Sequence, residues 1–237
     1  MYSPSKSTWL NPNLEYLFDA EIIEYDMRDA GYSLVKEYQL LPREEMIKLE
    51  ALGKGDARHI AIGVLQRDNK EFSKTLSQKF ADIRAIFISA NGITDDRIIS
   101  VKKDAIYTIG ACKKVKFGGI IFASKNTYSS YIRFPSLQNL EIYYSDGKID
   151  IKGMGESAEN RHRLYMIEFI RRVIRMIESK DRQTKRFLMR FIDQYKTREL
   201  DDGYYLEFNN LSRDINPVFN YQNVLIPLVQ IVMKEID

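Results

Sequence analysis

Apolar and polar positions follow two different rhythms along the chain. Up to about residue 155, short β-branched runs alternate with helical periodicities; beyond Glu159 the rhythm is helical. Glu21–Asp26 predicts a strand. Asp29–Tyr38 predicts the start of a helix, with Ala30, Leu34 and Val35 on one face and Asp29 placed to cap it. Pro42 followed by Arg43–Glu50 predicts a short helix entered through its proline. Gly53-Lys54-Gly55-Asp56 predicts a turn. Phe72, Leu76, Phe80, Ile83 and Phe87 recur at three- and four-residue spacing, which predicts one long helix over His59–Ala90, stopped by Asn91-Gly92.

Arg97–Ile109, rich in Ile and Val, predicts a strand. Gly118-Gly119 predicts a hairpin or sharp bend between Lys113–Phe117 and Ile120–Ser124. Tyr128–Phe134 and Asn139–Tyr144 predict further strands, and Asp146-Gly147 a tight hairpin from Glu141–Tyr144 to Lys148–Lys152. After Glu159, Leu164, Ile167, Ile170, Ile174 and Ile177 form an apolar helical stripe, with Arg161, Arg163, Arg171, Arg172 and Arg175 on the remaining faces. A second basic helix is predicted over Arg182–Arg198, with Phe187, Leu188, Phe191, Ile192 and Tyr195 inward. Residues 1–14, with Pro4 and Pro12, read as an extended arm outside the core. The fold class is therefore α+β, divided into an α+β domain over residues 1–155 with its arm and a mainly helical domain over 156–237.

Composition narrows the function only modestly. A chain of 237 residues, 44% hydrophobic and 29% charged, has the make-up of an ordinary globular protein. The formal net charge of +3 announces no polyanion partner, but its distribution does. The first fifty residues lean acidic, whereas Lys102–Lys125 and Arg161–Arg198 are basic. Cys112 is the single cysteine, so neither an internal disulfide nor a cysteine-based zinc site can form. The N-terminus lacks a signal-peptide pattern, and the apolar stretch Val224–Met233 is too short to cross a bilayer. A cytoplasmic location without membrane association is expected.

The candidate chemistry rests on two aspartates beside strand-like runs. If the strand before Asp26 pairs with the strand after Asp104, the two residues meet at one rim, the minimum needed to hold two Mg²⁺ ions. Ordinary strand-end, turn or helix-cap aspartates are the alternative reading of both. Lys113, Lys114, Lys116, Lys125 and Arg133 interleave with Phe117, Phe122, Tyr128 and Tyr131. That pattern suits either a nucleic-acid backbone or a solvated sheet face over an aromatic core.

The segment Tyr25-Asp26-Met27-Arg28-Asp29-Ala30-Gly31-Tyr32-Ser33-Leu34 resembles the first palm motif of family B DNA polymerases. Val101-Lys102-Lys103-Asp104-Ala105-Ile106-Tyr107 resembles their later Asp-Thr-Asp-Ser-Ile-Tyr motif. Lys125-Asn126-Thr127-Tyr128 resembles the Lys-x-Tyr element at the end of the palm, and Lys148–Met154 the segment leading into the thumb. The motifs follow the family's order over residues 20–200. The resemblance implies a minimal palm, with an antiparallel sheet and helices on one face, followed by a helical thumb-like region. It implies a template-dependent nucleotidyltransferase of phage or mobile-element type, with Asp26 and Asp104 as catalytic metal ligands for Mg²⁺ or Mn²⁺.

On that resemblance, Arg58, Arg67, Lys70 and Tyr32 would hold the nucleoside triphosphate. Lys113, Lys114, Lys116, Lys125, Tyr128, Lys152, Arg171, Arg172 and Arg175 would hold primed DNA. Accessory replication proteins would be partners and the host cytoplasm the location. The chain departs from the family at Lys102, which replaces the first aspartate of the later motif, at Gly31, where a tyrosine excluding ribonucleotides is usual, and at Arg58, where the family's middle motif has Asn. These departures keep open a catalytically inactive polymerase-fold protein that binds nucleic acid or serves in assembly. An α+β interaction protein without a nucleic-acid role is the third reading.

Overall fold

The computed structural model describes residues 2–3, 6–135, 140–152, 160–204 and 222–236. Its strands are β1 (Trp9–Leu10), β2 (Tyr16–Leu17), β3 (Ile22–Met27), β4 (Ile98–Val101), β5 (Ala105–Ile109), β6 (Lys116–Phe117), β7 (Ile120–Tyr128), β8 (Ser130–Phe134), β9 (Leu140–Ser145) and β10 (Lys148–Lys152). Its helices are α1 (Ala30–Glu37), α2 (Arg43–Ala51), α3 (Asp56–Asp68), α4 (Lys70–Ala90), α5 (Asn160–Glu178), α6 (Thr184–Lys196) and α7 (Gln222–Ile236). The fold is α+β. The chain divides into two compact units, residues 1–13 with 21–127 and residues 14–20 with 128–237. The expected boundary near residue 155 falls inside the second unit.

The first unit is built on a six-stranded sheet in the order β1-β4-β5-β3-β7-β6. Ile23, Tyr25 and Met27 alternate along β3 and join Val101, Ile106, Ile120 and Phe122 in one apolar layer. Leu34, Val35, Ile62, Leu76, Phe80 and Phe87 from α1, α3 and α4 cover that layer. Where one long helix was expected over His59–Ala90, two helices occur. Asn69 adopts an extended conformation (φ −126°, ψ 100°), and its side chain accepts the Phe72 N–H at 3.0 Å to cap α4. The apolar periodicity is continuous through that point, which hid the break.

Two further expectations are corrected. Arg97–Ile109 is not one strand but a hairpin, β4–β5, closed by the Lys102 N–H donating to the Ala105 carbonyl at 2.8 Å. The N-terminal arm is not outside the core. Trp9 is 8% exposed and pairs with Val101 as part of β1, and Tyr2 packs edge-on against its ring. Burying an indole outweighs the two prolines that suggested an unattached arm.

The second unit carries a four-stranded antiparallel sheet in the order β10-β9-β8-β2. The expected Asp146-Gly147 turn closes β9–β10, with Gly147 at φ +89° and Ser145 opposite Lys148. Ile132, Phe134, Ile142 and Tyr144 form its apolar layer, met by Phe169, Ile170, Val173 and Ile174 of α5 and by Leu188 and Phe191 of α6. Val229 and Val232 of α7 complete the layer. Leu164, expected on the inward stripe of α5, is 66% exposed instead, because Met166, Phe169 and Val173 set the buried face one step round the helix. The expected strand Tyr128–Phe134 is divided at Ser129: Tyr128 ends β7 and Ser130 begins β8.

Candidate functional site

The pairing that the two-aspartate reading required is present. β3 and β5 run antiparallel with Asp26 opposite Ala105, and the Met27 N–H donates to the Asp104 carbonyl at 3.0 Å. Asp26 and Asp104 therefore sit at the same rim of the first unit, Asp26 at a strand end and Asp104 in the β4–β5 turn. Lys125 on β7 reaches this rim. Its Nζ donates to Asp26 Oδ2 at 2.8 Å. The Asp26 hydrogen bond holds the Lys125 ammonium above its ordinary pKa against partial burial, aided by the charges of Asp26, Glu24 and Asp104.

Deeper along the same strands, Glu24 accepts from the Tyr107 hydroxyl at 2.8 Å through Oε1 and from Asn126 through Oε2. Glu24 and Tyr107 are register partners, 3% and 2% exposed. These four residues form a continuous polar row, Glu24–Asp26 on β3 and Lys125–Asn126 on β7. Sequence reasoning missed Glu24, Asn126 and Tyr107. Their signal was present: Glu24 and Asp26 fall two apart on a strand, and so share a face.

Lys103 precedes Asp104 in the chain. Lys103 turns elsewhere: its Nζ lies 5.1 Å from the Phe80 ring centroid and 3.5 Å from Gln66 Oε1. Its carbonyl accepts from the buried Arg84 at 2.6 Å. The ammonium at the aspartate rim comes from Lys125, which sequence reasoning assigned to strand contact.

The four residues expected to hold a triphosphate separate into two pairs. Arg58 and Tyr32 come together: the guanidinium stacks 3.9 Å from the Tyr32 ring centroid while Nη1 donates to Asp29 Oδ2 at 2.9 Å. Both partners of this ion pair are largely buried, with side chains 9% and 12% exposed. Arg58 is thus committed to Asp29 rather than presented to a ligand. Asp29 starts α1 from the left-handed region (φ 46°), but its side chain makes no capping bond, contrary to expectation. Arg67 and Lys70 are exposed at the α3–α4 break, and Arg67 pairs with Asp68 at 2.8 Å.

The expected strand contacts also divide. Lys113, Lys114 and Lys116 are exposed in the segment leading into β6, and among the described residues no acidic side chain pairs with them. Lys114 stands 5.4 Å from the Phe117 ring centroid. In the second unit, Tyr128 is 1% exposed and its hydroxyl donates to Asp150. Burial pushes the Asp150 carboxyl up, but hydrogen bonds from Tyr128 and Lys148 and the charges of Lys148 and Lys152 outweigh it and hold it below its ordinary value. Arg171 pairs with Glu168 at 3.3 Å, Arg175 with Asp146 at 3.0 Å and with the Tyr144 hydroxyl, and Arg172 stacks on Phe187 at 4.2 Å. Gly153 and Met154 of the thumb-leading segment, and the side chains of Arg161 and Arg163, lie outside the described residues.

Among the described residues no group of three or more His, Cys, Asp or Glu side chains converges to hold a metal ion. Among the same residues no helix is long and apolar enough to cross a membrane. Comparison with known proteins adds one finding. A family model described as Bacteriophage PBS1 gene 130 protein matches residues 2–233, nearly the whole chain. No curated protein matches it.

Proposed function

The chain belongs to the family of the bacteriophage PBS1 gene 130 protein, and we propose that it is a phage nucleic-acid-binding protein whose first unit has a polymerase-palm-like plan without a two-metal centre. The observation that carries this reading is the Lys125 ammonium, 2.8 Å from Asp26 Oδ2. An ammonium on one of the two rim aspartates is a poor fit to two Mg²⁺ ions, which need several oxygen ligands. With Lys125 spent on Asp26, phosphate contact falls to other cations of the unit. Lys113, Lys114 and Lys116, without acidic partners among the described residues, supply the sequence-independent attraction such binding requires. On this reading the chain works in the host cytoplasm, alongside replication proteins that act on the same strands.

A second reading is kept by a specific observation, the β3–β5 register that brings Asp26 and Asp104 to one rim. It is template-dependent nucleotidyl transfer from a nucleoside triphosphate. Asp26 and Asp104 would hold Mg²⁺ or Mn²⁺, and the ions would neutralise charge on the triphosphate.

One experiment separates the two. Primed DNA and primed RNA are offered to the wild type and to Asp104→Ala with Mg²⁺ or Mn²⁺, and both extension and salt-dependent binding are read. Salt-sensitive binding without extension is the expected result. Extension that vanishes in Asp104→Ala establishes the second reading instead, and a chain that neither binds nor extends overturns both.

A further inference from the structure

The second unit holds an aromatic cavity that the aspartate rim does not involve. Its volume is about 310 Å³, toward the lower end for small-ligand pockets of about 300–1,000 Å³. Phe169 from α5 and Phe191 from α6 form its floor, stacked with ring centroids 4.0 Å apart. Phe187 and Tyr204, each half-buried, form its walls, and Tyr204 meets Phe191 edge-on at 5.5 Å. Tyr204 is held there because Gly203 has no side chain: a Cβ at that position would run into the Tyr165 ring, which packs edge-on against Tyr204 at 4.9 Å.

Two arginines stand at the mouth. Arg172 is exposed and stands over Phe187, its Cζ 4.2 Å from the ring centroid. Arg190, one turn along α6 from Phe187, is exposed. Among the described residues neither arginine is ion-paired with an acidic side chain, although Glu168 on the same rim pairs with Arg171. A packed core has no use for two exposed arginines at the rim of half-exposed rings. A ligand that is flat and aromatic at one end and anionic at the other uses all of these groups. Its ring lies against Phe187 and Tyr204, and its phosphate takes the Arg172 and Arg190 forks.

We infer that this cavity binds a nucleobase together with its phosphate. The same chemistry comes from a free nucleotide or from one nucleotide of a single strand. Stacking on aromatic rings tolerates any base, and the arginine forks recognise phosphate, so the site selects nucleotides without selecting sequence. The inference goes beyond the nucleic-acid reading of the first unit. Only its strand arm rests on that reading.

The test titrates the full chain with a nucleoside monophosphate and, separately, with a 5′-phosphorylated hexanucleotide. Binding is read by calorimetry for the wild type, Arg172→Met, Phe187→Leu and Lys116→Gln. The expected result is saturable binding of at least one probe that weakens roughly tenfold in Arg172→Met and in Phe187→Leu. Thermal melts of each variant show that the fold is intact, and Arg172→Met keeps an unbranched apolar side chain at that position. Tight mononucleotide binding assigns the cavity to free nucleotides; binding of the hexanucleotide alone assigns it to a strand. Failure of both probes to bind, or binding equally strong in Arg172→Met and Phe187→Leu, overturns the inference. Hexanucleotide binding lost in Lys116→Gln but not in Arg172→Met does so too, while leaving the nucleic-acid reading of the first unit standing.

Discussion

Two basic clusters, one in each unit, use their charge in opposite ways. In the first, Lys113, Lys114 and Lys116 cluster before a short edge strand and are left without acidic partners among the described residues. In the second, Arg171 and Arg175 of α5 are answered by Glu168 and Asp146. Arg172 is spread over an aromatic ring. A polyanion competes with nothing at the lysines, whereas it must displace an existing partner at Arg171 and Arg175. Formal charge counted along a sequence is therefore not the charge a surface offers; the partners brought alongside by the fold decide that.

The largest test of this contrast concerns charge that is buried. Arg58→Ala leaves the buried Asp29 carboxylate with His59, 3.8 Å away, in place of its arginine partner, and the first unit is expected to lose about 3 kcal/mol of stability. Urea unfolding measures it; a loss below about 1 kcal/mol would mean that the pair is far better hydrated than its burial implies. The counterpart in the second unit is Gly203→Val, which drives a side chain into the Tyr165 ring. Overpacking of this kind costs about 2 kcal/mol, read as a lowered melting temperature.

Binding sharpens the contrast next. Replacing Lys113, Lys114 and Lys116 together with Gln is expected to reduce the slope of log affinity against log salt by about 2–3 on single-stranded DNA. Replacing Arg171 and Arg175 with Gln is expected to change it by less than about 1, because those cations already have partners. Equal effects from the two sets would erase the distinction drawn here.

The smallest effect concerns the aspartate rim. The Lys125 ammonium is held above its ordinary pKa by Asp26, so the folded chain keeps that proton more tightly than the unfolded chain. The pair's contribution is complete below the unfolded value of about 10.4 and disappears as pH rises through the folded value. Because Lys125 is 56% exposed, screening leaves about 0.5 kcal/mol. Stability curves of the wild type and Lys125→Met should run parallel from pH 6 to about pH 10 and converge above it.

Much of the fold was legible locally. The hairpin at Asp146-Gly147 followed from a turn dipeptide that tolerates positive φ, and the start of α2 from Pro42. What was not legible depended on distant partners. Trp9 joins the sheet because β4 offers an edge some ninety residues away in sequence. The break at Asn69 leaves the apolar stripe uninterrupted, so periodicity could not reveal it. At the site, the adjacency of Asp26 and Asp104 followed from two strand-like segments that had reason to pair. Lys125 as the partner of Asp26 did not, because it required β7 to lie beside β3.

The sequence by itself determined the α+β class, helices α1, α2, α5 and α6, and aspartates beside strand-like runs, because these depend on spacing within a few residues. The tertiary structure alone decided which charges are spent. It gave Arg58 to Asp29, Arg175 to Asp146 and Lys125 to Asp26, and it left Lys113, Lys114 and Lys116 open to solvent. Hydrophobic periodicity is written residue by residue, whereas an ion pair needs two chain segments brought within about 4 Å, a distance that only packing can set.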